Sequence, residues 1–446
     1  MATIDLSSAA KTSPPHASWT SARADRAHAT TAGYTQGTHI KRRKTSIDRA
    51  FCLHSRGMTQ TVALPSSQIA DYSVPSEPAA RVLQQIRITQ PTTRRELQDT
   101  LGYSQAAVAR YVTSLREAGL VEQISAATDR RDAPGRPGSL LRTTGGTVAV
   151  GAHIGLHRSH IVSADVSGRI SHNRELRLDV GETDPYEALE AIAYELRAAT
   201  RWADTETPHV GVALSAHVDD DGTVTEPAYN WRDVPVAEVL THYLGVPVQI
   251  SSGVAAMAGH ELLNRPLDAA KPDKGATLYF YARELVAHAW IVHGTVHEPA
   301  SGGLPLAFER VSKGSIFDTA EVGVGHPLGN SNVVHAAQRE GIQVQNFAQL
   351  AAIGIRNERA RGILDARAHL LAQTVALAAD IVGPTSIVLA GEAFTIDRLA
   401  PRIVAETLKN SVARRPSLRL QPEPRGVLTS AAAQAALNGL WNAPLR

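Results

Sequence analysis

The stretch TTRRELQDTLGYSQAAVARYVTSLREAGLVEQ, residues 92–123, leaves the chain few options, because helix starts and stops crowd it at fixed offsets. Thr93 and Ser104 stand where helix N-caps belong, and Gly102 and Gly119 where helices must end. Helical spacing puts Leu83 and Ile86 on the inner side of a first helix, and Leu97 anchors a second that runs from near Thr93 to Leu101-Gly102. A third helix starting at Ser104 places Val108, Tyr111, Val112 and Leu115 on one stripe facing the other two. Gln105, Ala106, Ala109, Arg110 and Thr113 then point outward. This is the pattern of a helix-turn-helix, in which the N-terminal half of the third helix enters the major groove of DNA. Gln pairs bidentately with adenine and Arg with guanine, which makes Gln105 and Arg110 the strongest candidate base readers.

After Ala118-Gly119, LVEQIS and SLLRTT have the character of two strands of a wing, joined by the loop AATDRRDAPGRPG. Pro stiffens such a loop and Arg favours the negative potential of a narrow groove, so Gly135-Arg136-Pro137 suits an arm reaching a backbone or minor groove. Arg94, Arg95, Arg130 and Arg131 are placed to sit on phosphates, adding affinity without sequence information. Ten Arg and six acids between Pro78 and Arg142 give that segment a net charge of +4. The plainer alternative is a small helical domain that only packs or dimerises.

The length of 446 residues predicts two to three domains, and the overall charge of +2 makes the basic character local. With one cysteine, Cys52, an intrachain disulfide and a multi-cysteine zinc site are both impossible, which points to a reducing, cytoplasmic setting. No apolar run approaches the roughly 18 residues that would read as a membrane-spanning helix. Residues 1–77 are rich in Ser, Thr, Ala, His and Pro and carry the basic run Lys41 to Lys44. Disorder is the expectation there. A basic arm for DNA, a transit peptide, and a translation start at Met58 are alternatives that the residues leave open.

Beyond Gly145-Gly146 strands alternate with helices. TVAVGAHIG, SHIVSADVSG and RISHNRELRL read as a three-stranded meander, Pro185 to Ala203 as an amphipathic helix, and HVGVALSAHV as a buried strand. VPVAEVLTHYLGVPVQISSG reads as helix then strand, GATLYFYARELVAHAWIVHG as a hairpin, and Ala360 to Ile381 as a long helix leading to the strand SIVLAG. The Ala-rich final helix, Leu428 to Leu440, suits close packing. Two α/β lobes with a cleft between them are expected.

On these motifs the chain resembles the ROK family of transcriptional repressors and sugar kinases, from about Ala79 to Ala443. The carriers of the resemblance are the winged helix with GRP, VGAHIG...VSADVSGRI, NWRDVPVAEVLTHYLGVPV and the closing SAAAQAAL. The resemblance implies an α/β fold: an N-terminal winged helix-turn-helix plus a two-lobed actin-like, sugar-kinase-like (ribonuclease H-like) body. Its segments would be residues 1–77 disordered, 78–145 DNA-binding, 146–255 the first lobe, and 256–446 the second lobe with the closing helix. It further implies a dimer or tetramer.

The chain departs from the family kinases where their chemistry resides. Their Asp-x-Gly-Gly-Thr loop is replaced by His153-Ile154-Gly155-Leu156-His157, in which His is no hard-oxygen ligand for Mg²⁺ and Leu156 would crowd a phosphate. The Glu-Asn-Asp that supplies the base is Ser251-Ser252-Gly253. Leu306 and Glu309 stand where the family's GxAGEIGH stretch holds sugar, no cysteine occupies the zinc cluster, and the nucleotide-site motifs survive only as ARELVA and Ala390-Gly391-Glu392. No cofactor and no metal are expected, although His153, His157 and His160 crowd one hairpin. Asn230, Trp231, Ser251 and Ser252 form a candidate effector pocket, with Trp231 alternatively packing between the lobes. The expectation is a DNA-binding regulator, a repressor by resemblance, without enzymatic activity. An active sugar kinase with an added DNA-binding domain and a protein-partner scaffold are the alternatives.

Overall fold

The computed structural model describes residues 68–125, 139–206, 208–265, 267, 275–299, 313–318, 326–411, 415–421 and 424–446. The described chain opens with β1 (Gln68–Ile69), so residues 68–77, assigned by sequence to the N-terminal segment, belong to the body. The reason is one aromatic: Tyr72 is 1% exposed. The three DNA-domain helices follow as α1 (Pro78–Thr89), α2 (Arg94–Leu101) and α3 (Gln105–Glu117), and β2 (Val121–Ser125) pairs antiparallel with β3 (Ser139–Thr143) to make the wing. Val82, Leu83, Ile86, Leu97, Val108, Val112, Leu115 and Leu141 form their common core, essentially removed from solvent.

The first lobe contains β4 (Thr147–Ile154), β5 (Ser159–Asp165), β6 (Ile170–Leu176), α4 (Pro185–Thr200), β7 (His209–Leu214), the small hairpin β8 (Val224–Glu226) and β9 (Trp231–Val234), α5 (Val236–Leu244) and β10 (Val248–Ser252). Its six strands run in the order β1-β10-β7-β4-β5-β6, with the first four parallel. The meander expected from sequence is β4-β5-β6. Helix α6 (Gly253–Leu263) leads to the second lobe, whose hairpin β11 (Thr277–Ala282) and β12 (Val286–Val292) is extended by β13 (Thr295–His297). Helices α7 (Asn330–Arg339), α8 (Phe347–Ile353) and α9 (Glu358–Val382), then β14 (Ser386–Ala390), α10 (Glu392–Thr395), α11 (Ala400–Ser411) and β15 (Ser417–Leu420), complete a five-stranded sheet ordered β13-β12-β11-β14-β15. Every residue of β11 is buried, as a strand covered on both faces requires.

The closing helix, α12 (Pro424–Asn442), does not join the second lobe as the sequence reading placed it. It crosses back and lies on the first-lobe sheet. A Cβ on Gly151 of β4 would stand 2.2 Å from the Ala432 carbonyl oxygen, and one on Gly211 of β7 would stand 2.3 Å from the Ala435 carbonyl carbon. Glycines on the sheet and alanines on the helix let two backbones approach to a distance that larger side chains forbid.

Candidate nucleic-acid interface and the interlobe cleft

The start of α2 is fixed within five residues, Thr92 to Glu96. The Glu96 amide donates to Thr93 Oγ1 (3.2 Å), and the Thr93 amide and Thr92 hydroxyl donate to Glu96 Oε2 (2.7 and 2.9 Å). The Thr93 amide leads in holding the Glu96 carboxyl below its ordinary range. Gly102, at φ 68°, turns the chain, and Ser104 Oγ accepts from the Ala107 amide (3.3 Å) to start α3. Ser104, Gln105, Ala106, Ala109, Arg110 and Thr113 are all exposed along the outer side of α3.

Two assigned arginines have structural engagements that the sequence did not reveal. Arg94 donates to Ser139 Oγ (3.1 Å) and Gln123 Oε1 (3.2 Å), so it braces both wing strands against α2. Arg110 donates to the Tyr111 hydroxyl (3.0 Å) with its guanidinium carbon 4.9 Å from the Tyr111 ring centroid. Tyr111, expected on the inner stripe, is only half-buried, and its hydroxyl aligns the neighbouring base-reader candidate. Arg95 is exposed, 4.0 Å from Asp99. Arg130, Arg131 and Arg136 lie outside the described residues, as do Leu306 and Glu309.

The domain is joined to the body by the polar side of α1. Arg87 Nη2 donates to the Leu263 carbonyl (2.5 Å), and its Nη1 donates to Asn264 Oδ1 (2.8 Å) and the Ser167 carbonyl (3.3 Å). The guanidinium lies 3.7 Å over the ring of Trp441 on α12, and burial pulls its pKa down to about 9. Gln84 donates to the Leu263 carbonyl, and Gln85 accepts from the Leu267 amide. The sequence reading missed these residues because Arg and Gln on a helix ordinarily face solvent.

The carboxyl ends of β4, β7 and β10 meet at the cleft side of the first lobe, the usual ligand crevice of a parallel sheet. His153 occupies it at 1% exposure, its Nε2 3.3 Å from Ser215 Oγ. Burial, reinforced by His160 and Arg283, drives its pKa down to about 3, so the ring is neutral. A Cβ on Gly253 would stand 3.3 Å from His153 Nε2, so the imidazole borders the start of α6. Leu156 turns toward the first-lobe core, 3.2 Å from a Cβ position on Gly181, rather than projecting as expected into a phosphate space. His157 pairs with Asp179 (2.9 Å) at the surface, and among the described residues no three metal-ligating side chains converge.

The four candidate pocket residues divide. Ser251 Oγ bonds the Tyr72 hydroxyl (2.7 Å), while Ser252 Oγ donates to Glu298 and accepts from the Ala255 amide (3.1 Å) at the start of α6. Burial raises the Glu298 carboxyl above its ordinary range. Trp231 is 2% exposed, edge-on to Tyr229 at 5.3 Å, inside the first-lobe core rather than between the lobes. Asn230 is exposed at φ 55°, ending the turn Pro227–Tyr229. Across the cleft, Glu392 is held by Arg283 (3.1 Å) and Asn330 (2.7 Å).

Three helices with an exposed third, a two-stranded wing braced against α2, and a two-lobed body joined through α1 define the class: a DNA-binding transcriptional regulator. The model of the MarR family matches residues 74–132. Over 403 residues the chain is 31% identical to Transcriptional regulator Rv0485 of Mycobacterium tuberculosis (strain ATCC 25618 / H37Rv), covering 85% of this chain and 88% of that protein. Transcriptional regulator Mb0495 of Mycobacterium bovis (strain ATCC BAA-935 / AF2122/97) matches with the same identity and coverage. A crystal structure of a ROK family transcriptional regulator, a homolog of the E. coli MLC protein, aligns with a TM-score of 0.60 at 15% identity, over 81% of this chain and 96% of that one. The chain belongs to the family of these mycobacterial transcriptional regulators, and its fold is that of the ROK family regulator.

Proposed function

We propose that the chain is a repressor that reads operator DNA with Gln105 and Arg110, holds phosphates with Arg94, Arg95, Arg130 and Arg131, and uses Arg136 in the wing loop as a groove-reaching arm. Ser104, Ala106, Ala109 and Thr113 complete the surface facing the bases. The observation that carries this reading is the exposed outer side of α3, with Arg110 already aligned by Tyr111. A winged helix on a kinase-derived body is the architecture of the family's repressor branch. Twofold assembly as a homodimer, or as a tetramer, would present two α3 helices to an inverted repeat.

The body is proposed to be catalytically dead and to work in the cytoplasm. Phosphoryl transfer depends on metal positioning and a base, and the positions that supply them in the family carry His153 and Gly253. Ser251 and Ser252 remain at the cleft as polar groups against which a small effector could seat. Incubation of the full chain with ATP, Mg²⁺ and a panel of hexoses and aminosugars is expected to give no sugar phosphate. Turnover abolished by changing a body residue would overturn the non-enzyme assignment. Genome-wide mapping of bound DNA should return inverted repeats overlapping promoters, and protection of no site at physiological salt would favour a protein-partner scaffold.

A further inference from the structure

The segment preceding the DNA-binding domain touches both lobes. On the first lobe, β1 pairs in parallel with β10, the Ala70 amide donates to the Ile250 carbonyl (2.8 Å), and the Tyr72 hydroxyl reaches Ser251. Asn438 of α12 donates to the Asp71 carbonyl (3.0 Å). On the second lobe, Ser73 forms an antiparallel bridge with Thr295, the Val74 amide donates to the Gly294 carbonyl (2.8 Å), and the Val296 amide donates to the Tyr72 carbonyl (2.9 Å). The Tyr72 ring fills the space beside Gly259, where a Cβ would stand 2.6 Å from it.

From Val74 to Pro78 at the start of α1 the chain can reach about 14 Å even when fully extended. Pro75, between them, is buried. Helix α1 is therefore tethered at its two ends to different lobes: through this short strap to the β12–β13 turn of the second, and through Arg87 to Ser167 and to Trp441 on the first. The lobes cannot rotate against each other without either straining the strap or tilting α1, and α1 shares a core with the recognition helix.

We propose that residues 68–77 are an interlobe clasp that holds the DNA-binding domain in its operator-competent orientation, and that opening the cleft undoes the clasp. Tyr72 is its latch, bonded directly to Ser251 at the cleft. A group seated against Ser251 and Ser252 competes for the hydroxyl that Tyr72 uses. A group that bonds Ser251 only once Tyr72 has released it binds the open state better, which is the differential interaction any ligand-driven shift requires.

The test uses the full chain in a Cys52→Ser background and a duplex recovered by the wild-type protein from a random-sequence library. Tyr72→Phe removes only the latch hydroxyl. It is expected to weaken binding about tenfold, within the usual range for coupled sites, and to speed amide exchange across residues 78–89. Ser73 and Thr295 face each other as a non-hydrogen-bonded antiparallel pair, the geometry in which two cysteines close a disulfide. In Tyr72→Phe/Ser73→Cys/Thr295→Cys, oxidation is expected to restore both binding and exchange protection, while the reduced form stays weak. Wild-type binding by Tyr72→Phe, or no change on oxidation, overturns the proposal. Should Tyr72→Phe fail to fold, Ser73→Cys/Thr295→Cys alone gives the same reading: oxidation slows exchange across 78–89, and unchanged exchange overturns it.

Discussion

Gly211→Ala adds one methyl group where α12 crosses the first-lobe sheet. The new Cβ would stand 2.3 Å from the Ala435 carbonyl carbon and 2.4 Å from both the Ala435 oxygen and the Ala436 nitrogen. All three are backbone atoms, so no side chain can swing aside. The helix must retreat by about 1 Å, and close-packed interiors transmit such a shift rather than absorb it. Overpacking of this kind costs about 1–3 kcal/mol. The cost should lie at the upper end here, because the retreat also draws Trp441 away from the buried Arg87, whose stacking is worth up to about 2 kcal/mol when desolvated. Gly362→Ala is the matched control: Gly362 is an exposed position of α9, a Cβ there meets nothing within 4 Å, and a helical alanine gains about 0.5–1 kcal/mol over glycine. In urea denaturation the midpoint of Gly211→Ala should fall below wild type and that of Gly362→Ala should rise above it. A Gly211→Ala midpoint at or above wild type would refute the close-approach argument.

Other perturbations address the DNA surface and the buried charges. Arg110→Ala should lose about 1–3 kcal/mol of discrimination between selected and scrambled duplexes, and equal loss on both, read by competition binding, would remove its reading role. Arg94→Ala should weaken all DNA alike and flatten the salt dependence. Because Arg94 also braces Ser139 and Gln123, amide exchange in β2 and β3 should quicken with it. His153 and His326, held by burial down to about 3, and His260 and His288, held by burial down to about 4, make the fold acid-sensitive. Below pH about 6.5 the unfolded chain takes up protons that the folded chain refuses, so each such histidine removes about 1.4 kcal/mol of stability per pH unit until its folded pKa is reached. His288 is wedged between Phe280 and Trp290, and among the described residues neither ring nitrogen has a hydrogen-bond partner, so His288→Phe should make the loss of stability between pH 6 and about 4 shallower in denaturant titrations.

The DNA-binding domain was legible because its signals are local. The Thr93 cap, the turn at Gly102, the Ser104 cap and the Val108, Val112 and Leu115 stripe each involve residues a few positions apart, and all stand where the spacing put them. The meander and the alternation of strands and helices in the body were readable for the same reason. Polar residues with buried duties were not. Arg87 and Gln84 look like a solvated helix side, yet they donate to the Leu263 carbonyl, and Arg87 also to Asn264 Oδ1. Arg94 is an exposed phosphate candidate by its type and a wing brace by its neighbours. Trp231 lies in a lobe core, although its motif suggested a cleft residue.

By itself, the amino-acid order determined that this chain carries a helix-turn-helix with a wing and that its body alternates strands and helices. Caps and periodicities are properties of single residues or short windows. Only the tertiary structure decided that residues 68–77 join the first-lobe sheet, that α12 returns to the same lobe, and that α1 is held to both lobes. Tyr72 and Ser251 are 179 positions apart, and Asn438 and Asp71 are 367 apart. Contacts over such separations form only when two distant segments are already in place, so no local pattern can announce them.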